Sequence, residues 1–240
     1  MAAHGEAVVA HHFEDADQQN ESAILGMWLF LGQEIMFFGG LFAVYFIYRY
    51  MYPDAFMAGS QQLDIKLGAL NTVVLLVSSF TMAMGVYSAQ MGRKKALIVN
   101  LFLTLALCLV FLGVKTVEYK AKFDHHLVPG AHFAFPPDHG ESAGHEVEAA
   151  GADHGGHAVD ADPKHVQMFF VIYFCMTGMH AFHMIIGAGL LTWLIVLAFK
   201  NHFGPHNFMK LECTGFYWHF VDIVWIFLFP LLYLLNPVGS

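Results

Sequence analysis

A carboxylate, Glu34, stands near the middle of LFLGQEIMFFGGLF (residues 29–42), and between residues 23 and 48 only it and Gln33 are strongly polar. An acid at mid-membrane costs roughly 2.5–3.5 kcal/mol even on the lenient insertion scale, which makes it a functional-site candidate at once. Two further apolar stretches carry groups of the same kind. TGMHAFHMIIG (177–187) holds His180 and His183 at i, i+3, a spacing that sets both on one face of a helix. FYWHFVDIVW (216–225) holds His219 and Asp222 at the same spacing, and Glu212 precedes His219 by two helical turns. A bundle that turns these faces inward brings carboxylates and imidazoles into mutual reach.

Three kinds of chemistry suit such a set. A membrane cytochrome b needs histidines facing one another from two helices, and His219 with His180 or His183 supplies one pair at most. A transporter or channel would use Glu34 and Asp222 as proton or ion sites; such folds often show repeats or broken helices, and no convincing internal repeat is present. The third reading is structural, with polar side chains holding helices, lipid head groups and a larger complex together around chemistry housed elsewhere. NTVVLLVSSFTM (71–82) adds Asn71, Thr72, Ser78, Ser79 and Thr81, which suit hydrogen bonds between membrane helices. FLGVKTVEY (111–119) brings Lys115 and Glu118, three residues apart, to a membrane surface where long side chains snorkel. Tyr217, Trp218 and Trp225 read either as neighbours of acyl chains or as plain core.

The elements that must position these residues are membrane helices. The chain has 240 residues, 57% hydrophobic and only 12% charged, with a mean hydropathy of +0.53; a soluble domain carries about a quarter charged residues. Five apolar runs, at about residues 22–50, 67–90, 96–118, 165–199 and 214–235, meet the length of about 20 residues that a bilayer demands. None alternates as a barrel strand would. The expected fold is all-α, an integral membrane bundle of five transmembrane helices, with the fourth long enough to tilt or project.

Residues 1–21 read as a polar tail without the basic start of a secretory signal. Residues 124–164 form an insert rich in Gly, Ala, His and acid, read as a flexible extramembrane loop between helices 1–3 (22–123) and helices 4–5 (165–240). Eight of the 16 histidines fall between His125 and His165, without the spacing of a known ligand set. Cys108, Cys175 and Cys213 lack C-x-x-C spacing and read as small buried hydrophobes. The net charge of −8 comes with no basic patch for nucleic acid. The basic turn GRKK (92–95) favours a cytoplasmic N-terminus by the positive-inside rule.

Together these stretches resemble subunit III of the haem-copper oxidases. FLGQEIMFFGGLF is similar to that family's first shared helix, LNTVVLLVSSFTM to the next, and FLGVKTVEY to the close of the third. TGMHAFHMIIGAGLL and LECTGFYWHFVDIVWIFLF match the last two. The resemblance covers about residues 22–123 and 165–236; long members have seven helices, of which this chain carries the last five. It implies a non-catalytic subunit of a proton-pumping terminal oxidase, a cytochrome c oxidase in the first reading, of a bacterial inner membrane. By the same resemblance haem and copper belong to subunit I, and this chain holds no catalytic residue, metal or cofactor of its own beyond bound phospholipid. Subunit I is the main expected partner, with subunit II, a small subunit IV and membrane lipid. A quinol oxidase and a nitric-oxide-reductase-associated homologue are the alternatives. Glu34 takes the place of the family's carboxyl-reagent-sensitive acid, as a packing residue facing subunit I or a proton-related one. Glu34, His180, His183, Glu212, Tyr217, Trp218, His219 and Asp222 are the candidates for lipid-binding or structural polar roles. The His-rich loop is expected on the periplasmic side.

Overall fold

The computed structural model describes residues 15–124, 162–204 and 207–235. Among the described residues six helices follow in chain order: α1 (Ala16–Met51), α2 (Pro53–Gln61), α3 (Ile65–Gln90), α4 (Lys94–Asp124), α5 (Pro163–Phe199) and α6 (Met209–Tyr233). All but α2 are long and apolar enough to cross a membrane. With 37 residues, α5 reaches roughly 55 Å, well beyond a hydrocarbon core of about 30 Å. The protein is an all-α, multi-pass membrane protein.

Local chemistry sets the helix ends. Asp15 accepts a hydrogen bond from the Gln18 amide at 2.7 Å, so α1 begins at Ala16, inside the stretch read as a polar tail. α2 was not expected; it starts at Pro53, whose fixed φ and missing N–H suit a first turn. Asp64 caps α3 through the Lys66 and Leu67 amides. Between α3 and α4 Gly92 takes a φ of 67°, and the amides of Gly92 and Arg93 close back on the carbonyls of Ala89 and Ser88. The body of the insert, residues 125–161, lies outside the described residues. Only one cysteine is a buried hydrophobe as expected, Cys108; Cys175 is exposed and Cys213 intermediate. On a helix bathed in lipid a thiol need not turn inward.

Spans that are apolar all round cannot choose a face by hydropathy alone. Hydroxyls and small residues choose it instead. The Thr81 and Thr104 hydroxyls meet at 2.8 Å between α3 and α4. Trp218 donates to Ser78 Oγ at 3.0 Å and Trp225 to Thr72 Oγ1 at 3.2 Å, tying α6 to α3. Gly187 of α5 lies under the Trp218 ring, where a Cβ would stand 2.8 Å from it. Glycine there lets α5 and α6 close.

α6 is the hub, with 50% of its most apolar window buried, against 17% in α1. α1 lies outermost, touching α2, α5 and α6. Its Tyr45 hydroxyl donates to the Leu231 carbonyl, one of the last α6 carbonyls, which have no partner within the helix. α2 covers one end of α5, with Phe56 edge-on to Phe169 at 5.2 Å.

Candidate functional site

Where α1 meets α5, Glu34 Oε2 lies 3.2 Å from His183 Nε2. The two residues are 9% and 7% exposed, so the carboxylate that looked so costly in the sequence is sheltered within its own chain. His183 Nδ1 is 2.8 Å from the Met179 carbonyl oxygen. A carbonyl only accepts, so Nδ1 carries a proton. With one proton between Nε2 and the carboxyl, the pair is imidazolium with carboxylate or imidazole with carboxylic acid, and neutral as a unit in either form. Phe38 packs against the imidazole at 5.3 Å and against Phe220 at 6.1 Å. The Tyr217 hydroxyl donates to the His183 carbonyl at 2.9 Å, so α6 fixes the backbone that presents the imidazole.

The expectation of one shared face for His180 and His183 is corrected. His183 looks toward α1, whereas His180 points into the bundle, 5.6 Å from the Phe111 ring and 5.2 Å from the Trp225 ring. An i, i+3 step leaves about 60° between side chains at 3.6 residues per turn, enough in a crowded bundle to assign them to different neighbours. Nor do His219 and Asp222 pair. His219 is half-buried, with Nδ1 2.6 Å from Ser79 Oγ, and Asp222 is turned inward at 2% exposure. Glu212 is half-buried in the first turn of α6, where a negative charge complements the helix dipole. Trp218 and Trp225 are core residues at 1% and 0% exposure.

Sequence reasoning also placed Lys115 and Glu118 at the membrane surface as snorkelling side chains. The structure buries both, each 4% exposed. Lys115 Nζ donates to Glu118 Oε2 at 2.8 Å and to the Tyr233 hydroxyl at 2.7 Å. Glu118 Oε1 accepts from Tyr173 at 2.8 Å and from Tyr233 at 2.5 Å. The ammonium stands 4.4 Å from the centre of the Trp225 ring, a cation–π contact. Both carboxyl oxygens and the ammonium are met, and a satisfied network of this kind rigidifies the helices that share it. Its signal in sequence was the Lys and Glu at i, i+3; the two tyrosines from α5 and α6 gave none.

The model of one protein family, cytochrome c oxidase subunit III, matches residues 6–133 and 165–236. The chain belongs to that family. It is similar to the quinol oxidase subunit 3 of Bacillus subtilis, 27% identical over 90% of this chain and 88% of that one. It is 30% identical to the probable cytochrome c oxidase subunit 3 of Nocardia farcinica, over 87% of this chain and 86% of the other. With cytochrome c oxidase subunit 3 of Gallus gallus it shares 29% identity over 87% of this chain and 67% of the relative. Membership makes the protein a subunit of a multi-subunit respiratory oxidase. The cytochrome b alternative finds no footing in the helix geometry. His183 is engaged by Glu34 and Met179, and His180 is boxed by aromatic rings rather than facing a second histidine.

Proposed function

We propose that this chain is the non-catalytic third subunit of a proton-pumping haem-copper terminal oxidase, seated on subunit I in a bacterial inner membrane. The observation that carries the reading is the family match along the chain, on both sides of the insert. Subunit II and a small subunit IV complete the assembly, and haem and copper reside in subunit I. The N-terminus is cytoplasmic. α1 suits a packing role, because it leaves large apolar side chains such as Trp28, Leu29 and Met36 exposed; another subunit and phospholipid would cover them. A cleft lined by Arg49, Pro53, Phe56, Met57 and Leu235 adds a guanidinium suited to a lipid phosphate. Glu34 with His183 specifies how α1 sits on α5 and contributes to sustained turnover with proton uptake.

Cytochrome c is the electron donor in the first reading. Quinol is the second, favoured by relatives such as that of Bacillus subtilis, named a quinol oxidase subunit. The test is purification in mild detergent through a tag on this chain, with optical spectra and identification of the accompanying subunits. A large subunit carrying haem and copper is expected, and its companions name the donor. A chain that emerges alone and colourless overturns the reading.

A further inference from the structure

The polar groups at the centre of the bundle are not all accounted for by protein partners. Both carboxyl oxygens of Asp222, both ring nitrogens of His180 and both amide atoms of Asn71 are buried without a hydrogen-bond partner among the described residues. The three residues are 2%, 1% and 0% exposed. Buried polar groups left unmet are costly, and native structures meet nearly all of them through protein or ordered water.

These groups share one region. The bonds of Trp218 to Ser78 and of Trp225 to Thr72 fix α6 antiparallel to α3 and set Asp222 opposite Leu75. The contact of Cys108 Sγ with the Met184 carbonyl and that of Phe111 with His180 fix α4 against α5. Tyr217 reaching the His183 carbonyl sets α5 against α6. These registers place Asp222 and His180 at one level of the bundle. Asn71 stands beside Thr72, the residue that receives the Trp225 indole, and that indole ring lies 5.2 Å from His180. The Ser79 hydroxyl sits beside Asp222 but outside bonding geometry with its carboxyl, and makes its 2.6 Å contact with His219 instead.

We propose that the centre of the α3–α6 bundle is a water-binding site, with one molecule joining Asp222 to His180 and a second joining the other His180 nitrogen to Asn71. Two molecules are required because the two imidazole nitrogens point away from each other, so a single water cannot reach both. A neutral imidazole donates from one nitrogen and accepts at the other; water, which does both, suits either tautomer. A buried water makes about two to four hydrogen bonds; the first molecule has the Asp222 carboxyl and one imidazole nitrogen, and the second has the other nitrogen and the Asn71 amide. The site is separate from the Glu34–His183 pair, which lies on the α1 side of α5, and it does not depend on the electron donor or on which subunits accompany the chain.

The test is a cryo-EM map of the protein in lipid nanodiscs, with whatever subunits accompany it, at a resolution that shows ordered water. Two peaks are expected, each about 2.7–3.2 Å from its polar partners, in the wild type and in Asp222→Asn. In Asp222→Leu the peak between residue 222 and His180 is lost and the other stays. A direct bond between Asp222 and His180, empty density at both nitrogens, or a first peak that survives Asp222→Leu overturns the proposal. If the leucine variant does not assemble, the wild-type and asparagine maps decide it.

Discussion

His183 Nδ1 lies 2.8 Å from the Met179 carbonyl oxygen, which turns His183 Nε2 toward Glu34 Oε2 at 3.2 Å. The contact gives an acid deep in an apolar helix a basic partner from its own chain.

The first expectation concerns that pair. Glu34→Gln places a side-chain amide N–H opposite Nε2 as a donor; its cost should stay below about 1 kcal/mol, the scale of one net hydrogen bond. His183→Leu strands the acid and should cost about 3–5 kcal/mol, as losing one partner of a buried pair does. Thermal unfolding of the two variants and the double variant, read as a mutant cycle, measures the coupling. Unchanged pumping and turnover lifetime in Glu34→Gln would exclude a proton relay and leave the packing role.

Glu118→Leu leaves the Lys115 ammonium and the Tyr173 and Tyr233 hydroxyls facing an apolar side chain. A loss of about 3–5 kcal/mol is expected, with much of it recovered when Lys115→Met is added, because no charge then remains buried. The midpoint of thermal denaturation in detergent checks this. A double variant as unstable as the single would show that the cluster does more than satisfy itself.

Gly187→Ala should destabilise by about 1–3 kcal/mol, the usual cost of overpacking, since the new methyl meets the Trp218 ring at 2.8 Å. Gly39→Ala, where a Cβ meets nothing within 4 Å, should leave the isolated chain unchanged in the same assay. If Gly39→Ala nevertheless lowers the amount of large subunit recovered with the chain, the small residues of α1 mark the contact with that partner.

Tyr45→Phe removes the hydroxyl that meets the Leu231 carbonyl and should cost about 0.5–1.5 kcal/mol. Its signature is local. Hydrogen exchange at the end of α1 near Tyr45 should quicken, while exchange at Thr81 and Thr104 between α3 and α4 stays as it was.

The five long helices were legible in the sequence because apolar length is enough to announce a membrane span. α2 was not: its nine residues are too few to show a period, and its core partners, Phe169 among them, lie on a distant helix. Glu34, His183 and Asp222 could be picked out by type, since ionisable residues in lipid stand out. Their partners could not. Hydropathy is nearly uniform around these helices, so nothing in the pattern says that His183 turns to α1 while His180 turns inward. The buried placement of Lys115 escaped for a related reason: a lysine near a helix end normally reaches for water, and here Tyr173 and Tyr233, contributed by two later helices, meet it instead.

The Glu34–His183 contact also bears on the order of assembly. α1 is made before the other described helices, yet the imidazole that meets its acid arrives on α5, after α2, α3 and α4 have been made. Until then the bilayer holds a helix with an unmatched acid and few contacts of its own, and the Leu231 carbonyl that receives Tyr45 comes later still. The first of the described helices thus has its acid met only by α5 and its Tyr45 hydroxyl only by α6, so its full docking reports that the rest of the bundle is in place.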